Sequence, residues 1–162
     1  MKESFITIHS SHINYTNHCL DNLAGNYFEN MINEKYPHSK LTSKIIGCAM
    51  EVHKALGNGF QEVVYQRALE HEFILQGVSY YREFEMPVFY KEKKVGTRRV
   101  DFLVGDIVSV ELKAVTVLED VHLAQAINYL EAYNLVVGLL INFGTKSLEL
   151  RRLQNKKLCK QP

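Results

Sequence analysis

The chain has 162 residues, 46% of them hydrophobic, which is enough to bury the core of one domain without disulfides or a structural metal. Nineteen basic residues against eighteen acidic ones leave a net charge of +1, which excludes a strong overall attraction to nucleic acid or to an anionic membrane. Any contact with nucleic acid must therefore be made by a local group of residues.

Residues 1–40 are rich in Asn, Ser and His and show no sustained helical or strand period. We predict a weakly structured or partner-dependent N-terminal extension there, a folded domain over residues 41–155 and a tail over residues 156–162. Three histidines of the extension are too loosely spaced to indicate a metal site, namely His9, His12 and His18.

Two helices are predicted at the start of the folded domain. Thr42 or Ser43 is the expected N-cap of the first helix, and Gly57 is expected to end it. The second helix is predicted over residues 61–76, because Gly77 follows where a left-handed C-terminal cap is favourable. The two helices form one αα unit.

From Val78 onward β-branched and aromatic residues dominate, and three strands joined by polar turns are predicted over residues 79–115 as an antiparallel meander. Pro87 places the first of them at a sheet edge. A third helix over residues 119–133 precedes a continuously apolar run, residues 135–142, which is typical of a strand covered on both faces. A short last strand is predicted over residues 147–153. The order ααβββαβ(β) predicts an α/β sandwich with a mixed sheet.

Charged side chains alternate along the third strand, so that Glu111 and Lys113 share one face. If the preceding hairpin loop is residues 105–107, Asp101 lies directly opposite Glu111. A register slip of one residue would turn Asp101 to the other face of the sheet. The candidate site therefore depends on an odd-length loop.

Two carboxylates opposed across a strand pair repel each other, and a divalent cation removes that repulsion. Mg²⁺ or Mn²⁺ prefers oxygen ligands and binds through one or two carboxylates plus substrate phosphate. Asp101 and Glu111, with the Leu112 backbone carbonyl as a further ligand, meet this requirement, and Lys113 is placed to help orient an attacking water. The competing interpretation is a solvated sheet face with an ordinary cross-strand ion pair.

Polar residues on two helices could join this site. Glu62 and Tyr65 lie three residues apart on the second helix, although an acidic residue in a first turn also complements the helix dipole. On the third helix a polar stripe of His122, Gln125 and Tyr129 is predicted opposite an apolar stripe, which consists of Leu123, Ile127 and Leu130.

An ordered set of motifs between residues 41 and 152 resembles the GxxExxY proteins, a group within the PD-(D/E)XK nuclease superfamily. D…ExK alone occurs often by chance, but the ordered set is highly specific. Its members are Glu51 to His53 (EVH), Gly59 to Tyr65 (GFQEVVY), Arg99 to Val104 (RVDFLV), Val110 to Val115 (VELKAV), Ala124 to Leu130 (AQAINYL) and Gly138 to Gly144 (GLLINFG). Val100 stands where the superfamily name has proline, a common departure.

The resemblance implies a restriction-endonuclease-like fold in which Asp101 and Glu111 bind the metal and Lys113 is the catalytic lysine. Glu62 would be the helical acid that supports the metal or its water. Gln125, Tyr129 and His122 would position the substrate. The expected activity is an Mg²⁺- or Mn²⁺-dependent, endonuclease-like hydrolysis of DNA in repair, recombination or defence.

Two alternatives to this interpretation remain open. One is a catalytically silent nuclease-fold module that binds nucleic acid or a protein partner, and the other is a toxin or defence component whose N-terminal segment contacts a partner. A homodimer or an accessory role in a larger complex is compatible with the nuclease, and double-strand cleavage by one site per chain would favour a two-fold dimer. Tyr65 and His53 are more simply explained as packed residues with satisfied polar atoms than as site residues.

A basic run, Lys91 to Lys94 with Arg98 and Arg99, either contacts phosphate or keeps a hairpin tip soluble.

The three cysteines form no close pair, which argues against a disulfide framework and a zinc site and favours a reducing compartment. No stretch is apolar enough to span a membrane, and the first residues lack the basic and apolar regions of a signal peptide. We therefore expect a cytoplasmic protein without a membrane partner.

Overall fold

The computed structural model describes residues 6–7 and 36–158. Its architecture is that of an α/β sandwich with a six-stranded mixed sheet. In chain order the elements are β1 (Ile6–Thr7), α1 (Ser39–Leu56), α2 (Glu62–Leu75), β2 (Tyr80–Tyr90), β3 (Lys93–Val104), β4 (Val108–Lys113), α3 (Asp120–Ala132), β5 (Val137–Asn142) and β6 (Glu149–Gln154).

The strands lie side by side in the order β1-β6-β5-β4-β3-β2. Strands β2, β3 and β4 form the predicted antiparallel meander, and β5 joins β4 in parallel after the α3 crossover. Pro87 lies in β2, at one edge of the described sheet, and every residue of β5 is buried. These features confirm the predicted order of elements and the fold class. Strand β1, which pairs with β6, is only two residues long, too short to produce a sequence pattern.

Helix α1 begins earlier than predicted. Its first residue is Ser39, and the N-cap position is taken by His38 in a left-handed conformation with no side-chain cap. The prediction of Thr42 or Ser43 as N-cap is wrong because both lie inside the first turns, where the Thr42 hydroxyl donates to the carbonyls of His38 and Ser39. Gly57 ends the helix as predicted, with a positive φ of 67°.

Helix α2 ends at the predicted glycine. Gly77 has a φ of 62°, and its N–H donates to the Ile74 carbonyl while the Val78 N–H donates to Phe73. These two bonds satisfy carbonyls that the last turn leaves free, as in a Schellman motif. The chain therefore leaves α2 in a fixed direction and enters β2.

Helices α1 and α2 cover one face of the sheet and α3 covers the other. The larger core cluster joins both helices to Leu139 and Ile141 of β5. A Cβ placed on Gly138, the residue before Leu139, would lie 3.0 Å from the Leu130 side chain of α3. Because successive strand residues point to opposite faces, the two contacts are on opposite sides of β5. The predicted apolar stripe of α3 is partly wrong, since Ile127 is 38% exposed.

The β3–β4 hairpin has the register on which the candidate site depends. Phe102 pairs with Val110 and Val104 with Val108, which leaves a three-residue loop over residues 105–107. One further step in this register brings Asp101 opposite Glu111. In β4 the residues Val110 and Leu112 are fully buried, so the alternation of apolar and charged positions places the charged ones on the other side.

Several predictions fall outside the described residues. Most of the predicted N-terminal extension is among them, with His9, His12, His18 and Cys19, and so is Cys159 in the tail. Cys48 is described and is a buried free thiol. Within residues 36–158, no helix combines the length and the hydropathy needed to cross a bilayer.

Candidate active site

Asp101 occupies the point where strands β3 and β4 separate. The backbone pairing of these strands ends at Phe102, and the Asp101 side chain continues the contact, since its Oδ2 accepts a 2.7 Å hydrogen bond from the Leu112 N–H. Its other oxygen, Oδ1, accepts a 2.9 Å hydrogen bond from the Gln66 amide of α2. Burial raises the pKa of Asp101, while the Leu112 N–H, Lys113 and Gln66 act in the opposite direction. The carboxylate is thus held in one orientation by a strand and a helix.

Glu111 is the most strongly perturbed acid of the site. Its side chain is 13% exposed, and burial, followed by repulsion from Asp101, raises its pKa to about 7. One oxygen, Oε1, accepts a 3.1 Å hydrogen bond from Lys113. The other, Oε2, is buried and has no hydrogen-bond partner among the described residues. A buried carboxylate oxygen without a partner is costly and indicates a missing positive group or functional strain.

Lys113 links the acidic residues. Its Nζ donates to Glu111 and, at 2.9 Å, to the Leu112 carbonyl oxygen, and it lies 3.9 Å from Glu62 Oε2. Burial lowers the pKa of Lys113, but the carboxylates of Glu111 and Glu62 outweigh burial and the pKa is raised. The lysine therefore stays protonated, as a cation in contact with two oxygen atoms that the sequence predicts to be metal ligands.

Glu62 lies at the open side of the cluster. It is the first residue of α2, its side chain is 44% exposed, and burial raises its pKa although Lys113 lowers it. The position also suits a helix dipole partner. Its 3.9 Å approach to Lys113 shows that the same carboxylate faces the site.

The residues present fit a hard divalent cation. Three carboxylates, those of Glu62, Asp101 and Glu111, share the Lys113 ammonium, so the ionised cluster has an excess of two negative charges. The donors are all oxygen atoms, and one of them, Glu111 Oε2, has no hydrogen-bond partner among residues 36–158. In the part of the chain that the structure describes, no three or more His, Cys, Asp or Glu side chains are arranged as a metal cage. An open site with two carboxylates is what Mg²⁺ uses when water and substrate complete its shell.

Two supporting residues were missed by the sequence analysis. Gln66 is buried and orients Asp101; its position four residues after Glu62, on the same helix face, is a signal that could have revealed it. Asn142 is fully buried at the end of β5, where its amide bonds both the N–H and the carbonyl of Val115. This amide fixes the chain just beyond Lys113. The sequence signal that could have revealed Asn142 is its place as the one amide residue at the end of an otherwise apolar strand.

The polar residues of α3 have mainly structural contacts. His122 belongs to a capping box, in which its Nδ1 accepts a 3.0 Å hydrogen bond from the Glu119 N–H; it is close enough to lower the pKa of Glu62. Tyr129 is buried, and its hydroxyl donates to the Arg99 carbonyl at 3.4 Å. Gln125 is half-buried one turn before Tyr129, and within the described residues no hydrogen bond joins it to the acidic cluster.

The structural interpretations of Tyr65 and His53 are confirmed. Tyr65 is fully buried and stacks on Phe143, and its hydroxyl donates to the Gly57 carbonyl at 2.9 Å. The His53 Nε2 lies 3.0 Å from the Thr145 carbonyl oxygen. Tyr65 thus holds the turn before α2, which sets where Glu62 begins the helix.

A family model described as the PD-(D/E)XK nuclease superfamily matches residues 39–153. The chain belongs to this superfamily. The matched region begins at the first residue of α1 and ends within β6, so it contains Asp101, Glu111, Lys113 and Glu62. No curated protein and no solved structure matches the chain.

Proposed function

We propose that the chain is an Mg²⁺- or Mn²⁺-dependent phosphodiester hydrolase that cuts DNA internally, in repair, recombination or defence. Superfamily membership supports the reaction class. The motifs quoted above further support placing the chain in the GxxExxY group. The single observation that carries the proposal is the buried, unpartnered Glu111 Oε2 beside Asp101 and Lys113. A reducing compartment, the cytoplasm, is part of the proposal because the three cysteines are odd in number and far apart in the sequence.

The roles of the residues follow from their contacts. Asp101 and Glu111 would hold the cation, with the Leu112 carbonyl as a third protein oxygen. The bound cation supplies Lewis-acid polarisation of the phosphoryl group and a lowered pKa for water. The Lys113 ammonium can donate to the attacking water and stabilise the negative charge that develops on phosphate. Glu62, exposed at the open side, can accept a hydrogen bond from the same water.

Incubation of the purified protein with DNA tests the proposal directly. Single-stranded, duplex and branched DNA should be offered in Mg²⁺, in Mn²⁺ and in excess chelator, and the products should be separated by length. Internal cleavage of at least one substrate, present with either metal and absent with chelator, is the expected result. Failure to cut any of them with both metals would contradict the proposal.

One observation favours a silent nuclease-fold module as a second candidate. The Lys113 ammonium already bonds Glu111 and the Leu112 carbonyl, so two of the three proposed ligands have a positive partner without a metal. Calorimetric titration of the folded protein with Mn²⁺ separates the two candidates. Binding of one ion per chain supports the hydrolase, whereas a titration without binding heat supports the module.

Gln66 is expected to act as a positioning residue for Asp101. Gln66→Leu should weaken Mn²⁺ binding about tenfold, because it removes the amide that orients the Asp101 carboxylate. Calorimetry measures this effect, and the midpoint of thermal unfolding checks that the variant is folded. Gln76→Leu is the matched control, since its amide donates to Glu72 at an exposed position. Equal Mn²⁺ affinities of the two variants would assign Gln66 a purely structural role.

A further inference from the structure

Strands β2 and β3 extend beyond the rest of the sheet as a two-stranded ribbon, here called the outer ribbon, residues 87–99. Strand β3 pairs with β4 only at its last three residues, whereas β2 and β3 stay paired as far as Tyr90 and Lys93. All residues of the outer ribbon are exposed except Val88, which is half-buried. At about 3.3 Å per residue, Arg99 and Lys93 are separated by about 20 Å along the strand.

The outer ribbon concentrates positive charge. Its thirteen residues contain five cations and one anion, a net charge of +4, in a chain whose total is +1, so the rest of the chain is negative. Among the ion pairs of the described residues, none involves a cation of the ribbon. The cations are Lys91, Lys93, Lys94, Arg98 and Arg99. This is the local positive surface that the net charge of the chain requires for any contact with nucleic acid.

Large apolar side chains are exposed next to these cations. Phe89 is 59% exposed, Tyr90 67% and Val95 57%. Charge at a sheet edge has a simple role in preventing aggregation, but exposed aromatic rings would oppose that role. Aromatic rings beside lysines are instead the combination that binds unpaired bases by stacking while the cations contact the phosphates.

The base of the ribbon is fixed next to the acidic cluster. The Tyr133 hydroxyl donates to the Pro87 carbonyl at 2.9 Å, and the Tyr129 hydroxyl donates to the Arg99 carbonyl at 3.4 Å. Arg99 lies two residues before Asp101 on the same strand. A DNA strand bound along the ribbon would therefore be led towards Asp101 by one continuous strand, β3.

We propose that the outer ribbon is a binding arm for single-stranded DNA that delivers unpaired substrate to the acidic cluster. The inference rests on the proposed function for its choice of DNA as the ligand. The cations bind the phosphates. Phe89 and Tyr90 are consecutive and project from opposite faces of the ribbon, so each offers its ring to a different unpaired base. Duplex DNA, whose bases are already stacked and paired, has phosphates for the cations but no free base face for the rings.

Binding is measured by fluorescence anisotropy on the full chain, in chelator so that no cleavage occurs, with a labelled oligothymidylate of about 20 nucleotides. The double variant Phe89→Ala/Tyr90→Ala should bind at least about thirtyfold more weakly, because each lost ring removes the stacking of one base. The triple variant Lys91→Ala/Lys93→Ala/Lys94→Ala should bind more weakly and reduce the slope of log K against log salt by about 2. The matched control, Lys40→Ala/Lys44→Ala/Lys156→Ala, removes the same charge from exposed positions elsewhere and should leave the slope unchanged.

Equal affinities and salt slopes for the ribbon triple variant and its control would overturn the inference. So would tighter binding of a duplex of the same length that Phe89→Ala/Tyr90→Ala does not weaken. Because the assay needs no cleavage, the two proposals fail separately. An inactive protein whose ribbon variants lose single-stranded DNA contradicts only the hydrolase, and an active protein whose ribbon variants bind normally contradicts only the arm.

Discussion

Each of the variants Asp101→Asn, Glu111→Gln and Lys113→Met is expected to cut DNA about a thousandfold more slowly than the parent protein. The two amides keep the shape of the carboxylates but remove the charge that would hold the cation. Methionine keeps the aliphatic stem of Lys113 and removes the ammonium that contacts Glu111 and the Leu112 carbonyl. Initial cleavage rates under saturating Mg²⁺, on the substrate that the parent cuts, measure the effect.

An ion pair elsewhere on the chain provides the matched control. Glu131 and Lys157 are 2.7 Å apart at the surface, with the lysine 72% exposed. Glu131→Gln and Lys157→Met repeat the same chemical changes and should leave the cleavage rate within twofold of the parent, because surface ion pairs contribute little. Cleavage that survives all three site substitutions would place the active site on other residues.

Glu111→Gln should also make the metal-free protein more stable at pH 8, by about 3 kcal/mol. The pKa of Glu111 is raised from 4.5 to about 7 in the folded state, so ionising it above pH 7 costs folding free energy of that order. Glutamine resembles the protonated acid and avoids the cost. Urea unfolding in chelator measures the free energies of unfolding of the variant and the parent.

The sign of the pH dependence follows from the direction of the shift. Below pH 4.5 the Glu111 carboxyl is protonated in both the folded and the unfolded state. As the pH rises from 4.5 to about 7 the unfolded state loses this proton first, so the free energy of unfolding of the parent falls. The variant should therefore match the parent near pH 4 and exceed it at pH 8, while Glu131→Gln changes stability by less than about 0.5 kcal/mol at both. Mn²⁺ should stabilise the parent and not Glu111→Gln. A variant less stable than the parent at pH 8 would show that the Glu111 charge is already well compensated.

The sequence was sufficient to predict the order of the elements after residue 40, and it reduced the central register to one condition, an odd-length hairpin loop. Apolar periodicity and turn residues located both helices of the αα unit, and the odd-length loop at residues 105–107 determined how β3 meets β4. Because side chains alternate along a strand, that one register also determined that Asp101 approaches Glu111. The sequence alone, without the resemblance, would have left an ordinary charged strand pair as the preferred interpretation.

Contacts between distant segments could not be predicted in the same way. Gln66 lies 35 residues from Asp101, and only the packing of α2 against the end of β3 brings its amide to the carboxylate. The early start of α1 escaped prediction because His38 takes a left-handed conformation, for which no ordinary cap residue is a signal. His122, which is predicted to position the substrate, also caps its own helix through a ring nitrogen, a contact that the sequence analysis did not include. Tertiary packing decided the first of these outcomes, and local backbone geometry decided the other two.

Crystals of the protein soaked in Mn²⁺ test the central claim most directly, since anomalous scattering locates the ion without reference to activity. We expect one peak per chain within bonding distance of the carboxylates of Asp101 and Glu111, with the Lys113 ammonium withdrawn from the Leu112 carbonyl. At saturating Mn²⁺, an absence of density between the two carboxylates, or an ion bound by other residues alone, would contradict it.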